Sequence, residues 1–143
     1  MKNRSNQITA LFFVVAFALA PIERVRADSE AIPENPVITI HRTDNVIRGK
    51  IGTFVLEMKP QRLLGGMYVK FSVGGTAIPG VDYVALASPA FIGQSGYAVI
   101  QIHTLANPRG LASQQSYSVQ ITLESGAGYA LGQPRSATLW IKP

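Results

Sequence analysis

Gly75-Thr76-Ala77-Ile78-Pro79-Gly80-Val81-Asp82-Tyr83 is the stretch whose reading decides the fold. It follows Met67–Val73, whose alternation of apolar and polar side chains predicts a strand, so the nine residues make a turn and re-enter a sheet. Gly75 and Gly80 supply backbone freedom, Pro79 fixes one torsion, and Asp82 and Tyr83 close the turn. Outward from this turn the chain shows no helix-length period of 3.6. Short apolar alternations recur instead, separated by Gly, Pro, Asn and Ser clusters, which argues for an all-β sandwich or barrel. The predicted strands are Val37–His41, Thr53–Lys59, Met67–Val73, Tyr83–Ala85, Ala90–Ile92, Tyr97–Thr104, Ser116–Leu123 and Ala137–Lys142.

The alternation also predicts faces. Tyr117, Val119, Ile121 and Leu123 point one way, with Ser118, Gln120, Thr122 and Glu124 on the other, as in a strand covered on one side. Met67, Val69, Phe71 and Val73 form a second inward set opposite Tyr68 and Lys70, and Phe54, Leu56 and Met58 form a third. In the last strand Leu139 and Ile141 point inward and Trp140 outward.

The 143 residues suffice for one domain. Lys2 and Arg4 precede the apolar run Ile8–Ala20, which is shorter than the roughly 20 residues a membrane-spanning helix needs. Ala18-x-Ala20 is followed by Pro21, a poor residue after a scissile bond, whereas Val25-Arg26-Ala27 is followed by Asp28. The preferred division is a signal peptide at 1–27, a flexible lead-in at 28–36 and one domain at 37–143. The competing reading retains the apolar run as a signal anchor. Cleavage after Ala27 leaves no stable membrane span and indicates an exported protein, periplasmic or extracellular.

The leader carries four of the 13 basic residues and one of the eight acidic ones, so much of the net charge of +5 belongs to it. With no basic run interleaved with aromatics, nucleic acid is not an expected partner. The chain has no cysteine, which excludes disulfides and cysteine lipidation.

With the strands placed, the turn resembles the signature of the Calx-beta domain family, which reads roughly G-T-A-x-x-G-x-D-Y. Gly52-Thr53-Phe54-Val55-Leu56 is similar to that family's second strand, Ser116–Leu123 to its penultimate strand and Ala137–Ile141 to its last. The likeness spans residues 37–142 and implies a two-sheet antiparallel, immunoglobulin-like β-sandwich of about seven strands. It also implies a calcium site at one end of the sandwich. Asp82 matches the signature aspartate, and Asn107 is the second candidate ligand. Calcium takes about 6–8 hard oxygen ligands, several of them anionic. Yet Arg48 falls where the family carries an acid, and Leu105–Gln115, which contains Arg109, holds no carboxylate. Cofactors are therefore expected to be absent, with calcium as the alternative. Asp82 serves either its own turn, by accepting backbone N–H groups, or the metal.

Other candidates carry less chemistry. His41 and His103 are too few for a zinc site and lack a partnered nucleophile. Gly93-Gln94-Ser95-Gly96-Tyr97 departs from a nucleophile elbow at its fifth position, and Gly126–Gly132 lacks the spacing and helix of a dinucleotide loop; both read as hairpin turns. Trp140, Tyr68 and Tyr97 are candidate surface-binding aromatics. The function expected is non-catalytic: a binding, structural or adhesion-type module acting through a protein partner or self-association, with calcium-dependent loop stability as the alternative.

Overall fold

A computed structural model describes residues 34–62, 65–106 and 108–143; the leader 1–27 and Asn107 lie outside the described residues. Among the described residues ten strands form: β1 (Val37–Arg42), β2 (Val46–Ile47), β3 (Ile51–Lys59), β4 (Met67–Val69), β5 (Phe71–Gly74), β6 (Ala90–Ile92), β7 (Tyr97–His103), β8 (Tyr117–Leu123), β9 (Ala130–Leu131) and β10 (Ser136–Lys142). One sheet has the order β7-β3-β1-β9 and the second β2-β10-β8-β5, with β4 and β6 as an additional pair. Pairing is antiparallel except at β1–β9 and β2–β10. The architecture is the expected β-sandwich.

Register follows from side-chain alternation. Ile38 faces Met58 and Ile40 faces Leu56 across β1–β3, and Phe54 faces Ile100 across β3–β7. All six are buried. From the other sheet Val119, Ile121, Leu123, Leu139 and Ile141 close the core, as predicted, together with Phe71, while Met67 and Val69 extend it from β4. Each such side chain contributes about 1.5–3 kcal/mol relative to exposure. A slip of one residue in any strand would turn this set outward, so the register is tightly specified.

The strand count departs from about seven for local reasons. The predicted strand Met67–Val73 breaks at Lys70, where β4 leaves to pair with β6 and β5 continues beside β8. Tyr129 holds this break: its hydroxyl accepts the Lys70 N–H at 3.2 Å and donates to the Glu124 carbonyl at 2.6 Å. The two-residue strands β2 and β9 are too short for alternation to reveal. Tyr83–Ala85 is not a strand; Tyr83 makes only isolated bridges to Pro79 and Thr104.

Both glycine-rich segments read as hairpin turns are instead crossings between pairing partners. β6 pairs with β4 while β7 pairs with β3, and β8 pairs with β10 and β5 while β9 pairs with β1. At the start of the described chain, Pro36 is buried and its carbonyl accepts the Ala130 N–H at 2.9 Å. Among the described residues no helix is long and apolar enough to cross a membrane.

Candidate functional site: a carboxylate clamped by two arginines

The Gly75–Tyr83 turn continues from β5 and docks alongside Ser118 of β8. Gly75 has φ +107°, and a Cβ there would overlap the Ser118 carbonyl oxygen. The close approach lets the Thr76 N–H donate to Ser118 Oγ at 3.1 Å, while the Ser118 N–H donates to Thr76 Oγ1 at 2.8 Å. The Ala77 N–H reaches the Ser118 carbonyl at 2.9 Å, and Ala77 is itself buried. This docking explains why Ser118, predicted on the wet face of β8, is buried.

Gly80, at φ +79°, then reverses the chain, its N–H donating to the Tyr83 carbonyl at 2.7 Å. The reversal carries Asp82 inward to complete burial, with its carboxylate Oδ2 accepting the Ile78 N–H at 2.7 Å. Tyr83 is buried beside it; desolvation, and secondarily the Asp82 charge, push its phenol up.

Two guanidinium groups share the Asp82 carboxylate. Arg109 binds in a fork, its Nε donating to Oδ1 at 2.9 Å and its Nη2 to Oδ2. Arg48 donates from Nη1 to Oδ1 at 3.3 Å, with a side chain only 4% exposed. Burial by itself pushes the Asp82 carboxyl up. The Arg109 guanidinium, the Ile78 N–H and Arg48 together outweigh burial and hold it below the ordinary carboxylate range.

Both arginines also lie on the Tyr117 ring, at 4.2 Å from its centroid for Arg109 and 5.2 Å for Arg48. Arg48 Nε donates to the Ser113 carbonyl at 3.0 Å, and Ser113 Oγ accepts the Arg109 N–H at 3.1 Å. Ser113 belongs to a short 3-10 turn, Gly110–Gln114, further held by the Tyr117 hydroxyl donating to the Ala112 carbonyl at 3.1 Å. The cluster thus gathers the β2–β3 loop, the signature turn, the β7–β8 connection and the first residue of β8. Its chemistry is that of a fixed charge network. Both carboxylate oxygens already accept N–H donors, and among the described residues no group of three or more His, Cys, Asp or Glu side chains is placed to hold a metal.

The aromatic candidates lie elsewhere. Tyr68 on β4 is 66% exposed and packs at 5.0 Å between centroids against Phe91 of β6, its register partner, itself 52% exposed. Trp140 is 43% exposed on β10, where its backbone N–H donates to Asn45 Oδ1 at 3.1 Å. Tyr97 hydrogen-bonds Glu57 Oε1 through its hydroxyl at 3.1 Å. His41 and His103 sit on different strands flanking β3, opposite Val55 and Ile51.

The sequence puts Arg48 where an acid is expected and Arg109 in a stretch without carboxylates, but does not reveal that both close on Asp82. It did not single out Tyr117 as their platform or Phe91 as the mate of Tyr68. One carboxylate against two arginines at one end was the available signal for the clamp. The inward placement of Ile92, which turns Phe91 outward, was the signal for the aromatic pair. Comparison with known protein families finds no family model that matches this chain, and no curated protein matches it.

Proposed function

We propose that this chain is an exported, non-catalytic β-sandwich module of Calx-beta type that acts through protein contacts at the cell envelope or outside the cell. The observation that carries this reading is the exposed Tyr68–Phe91 pair on the β4–β6 sheet. Two large rings packed together in solvent present apolar area at low conformational cost, the kind of anchor that dominates protein interfaces. The Asp82 clamp serves a different purpose, fixing the loop end so that the sandwich keeps its shape without metal. In the alternative, calcium-dependent reading, the ion would have to displace both guanidinium groups from the carboxylate.

The test is site-specific photo-cross-linking of the full chain in the cells that produce it, with a benzophenone side chain at position 91. The expected result is one discrete cross-linked product, either a partner or a second copy, absent when the probe sits at Gln120, an exposed position on β8. Equal, diffuse cross-linking from both positions would overturn the reading.

A further inference from the structure

A strand at the edge of a sheet is a template for another chain, and natural proteins blunt such edges by keeping them short, charged or bulged. Among the described residues the edges are β7 and β9 in one sheet, β2 and β5 in the other, and β4 and β6 in the small pair. All but β7 are two to four residues long. β7 runs for seven, Tyr97-Ala98-Val99-Ile100-Gln101-Ile102-His103, with no Lys, Arg, Asp, Glu or Pro and an unbroken register on β3.

The ladder to β3 decides which backbone groups of β7 are free. The Met58 N–H donates to the Gly96 carbonyl at 2.7 Å and the Thr104 N–H to the Lys50 carbonyl at 3.2 Å, in the register that pairs Glu57 with Tyr97 and Ile51 with His103. Antiparallel pairs alternate between bonded and non-bonded. Ala98, Ile100 and Ile102 therefore bond to β3, while Tyr97, Val99, Gln101 and His103 turn their N–H and C=O groups to the open side. The Val84 N–H takes the His103 carbonyl at 2.9 Å, and Ser95 Oγ accepts the Tyr97 N–H at 3.3 Å. Val99 and Gln101 keep both groups unpaired among the described residues.

This spacing is self-complementary. Ile100 is the midpoint of β7, so a second copy laid antiparallel in full overlap sets Val99 opposite Gln101 and Tyr97 opposite His103, twice over. Each Val99–Gln101 pair can then exchange both of its N–H and C=O bonds. On the outer face the two exposed Val99 side chains are diagonal neighbours across the two-fold axis. Charge favours the same arrangement: β7 opposes no like charges, and each His103 arrives beside Tyr97, whose hydroxyl holds the Glu57 carboxylate at 3.1 Å.

We propose that the open edge of β7 is a dimer interface, through which two copies of this chain pair antiparallel about Ile100 and join their four-stranded sheets into one. The contact is isologous and occupies the long edge of both copies, so it closes at two. It is separate from the Tyr68–Phe91 face and stands whether or not that face binds a partner.

The test is sedimentation equilibrium of the full chain over a wide concentration range. The expected result is a reversible monomer–dimer equilibrium with a Kd of roughly 1–100 μM, as suits a small interface. Val99→Lys alters an exposed side chain and sets two ammonium groups together across the axis, so it should weaken the dimer roughly tenfold or more. Tyr68→Lys, on the other face, should dimerise like the wild type. Because the chain has no cysteine, a second measurement reads the register. Val99→Cys and Gln101→Cys chains, mixed and oxidised, should cross-link to each other in preference to themselves, since bonded antiparallel pairs lie about 5.5 Å apart between Cα atoms and the diagonal like pairs about 7–8 Å. A monomer at every concentration, growth beyond the dimer, unchanged affinity in Val99→Lys, loss of the dimer in Tyr68→Lys, or no preference for the mixed disulfide would each overturn the proposal.

Discussion

Replacing Asp82 with asparagine keeps the side chain's shape and removes its charge. The amide oxygen could still accept the Ile78 N–H, but two guanidinium groups would then face each other across a neutral group. Removing one partner of a buried ion pair costs about 3–5 kcal/mol, because the charge left behind has lost both water and counterion. Domains of this size are stable by only about 5–15 kcal/mol, so Asp82→Asn should fold but sit near the edge. At roughly 4–8 °C per kcal/mol, Tm should drop by at least about 12 °C. Acid supplies the diagnostic. The folded carboxyl is held below its unfolded value of about 3.9, so its stabilising contribution is complete above that value and is lost as pH falls through the lower folded value. The gap between wild type and Asp82→Asn, measured by urea unfolding, should therefore be widest near neutrality and narrow as the pH falls below the unfolded value. A loss under about 1 kcal/mol at neutral pH, or a gap that does not change with pH, would refute the clamp as the organiser of this loop end.

Three further outcomes are expected. Gly75→Ala should cost about 3 kcal/mol or more, since it combines positive φ with overlap on the Ser118 carbonyl, whereas Gly80→Ala, with open space around its Cβ, should cost only about 1–2 kcal/mol; paired urea melts check the order. Tyr129→Phe should cost about 1–3 kcal/mol by leaving the Lys70 N–H and Glu124 carbonyl without their partner, and amide exchange at Lys70 should quicken. Millimolar calcium should leave Tm unchanged, because the carboxylate it would need is already held by Arg109, Arg48 and Ile78; a calcium-specific rise that magnesium does not reproduce would show the clamp giving way to the ion.

The sandwich was legible because its long strands are covered on one face and alternate with period two. Phe54, Leu56 and Met58, or Val119, Ile121 and Leu123, declare their inward side without any other information. What alternation could not convey were the elements defined by long-range contact. β2 and β9 exist because Val46 lies beside Ile141 and Ala130 beside Val37, pairings that two-residue stretches cannot announce. The break at Lys70 depends on Tyr129, 59 residues away. The glycine-rich crossings looked like hairpins because a turn's composition encodes its bend and not which strand it leads to.

At the candidate site, the backbone roles of Gly75, Gly80 and Asp82 were readable from residue type. The Arg48–Asp82–Arg109 clamp was only half readable. Both arginines were visible as cations where the resemblance leads one to expect acids, but that they close on Asp82 depends on the burial of that carboxylate between them.

The most direct test of the account is the titration of Asp82 itself, followed through its side-chain carboxyl carbon by NMR in the full chain. An apparent pKa clearly below about 3.9, unmoved by calcium, is the predicted result. A carboxyl titrating at or above that value, or one whose signal shifts on adding calcium, would contradict the claim that two arginines hold it.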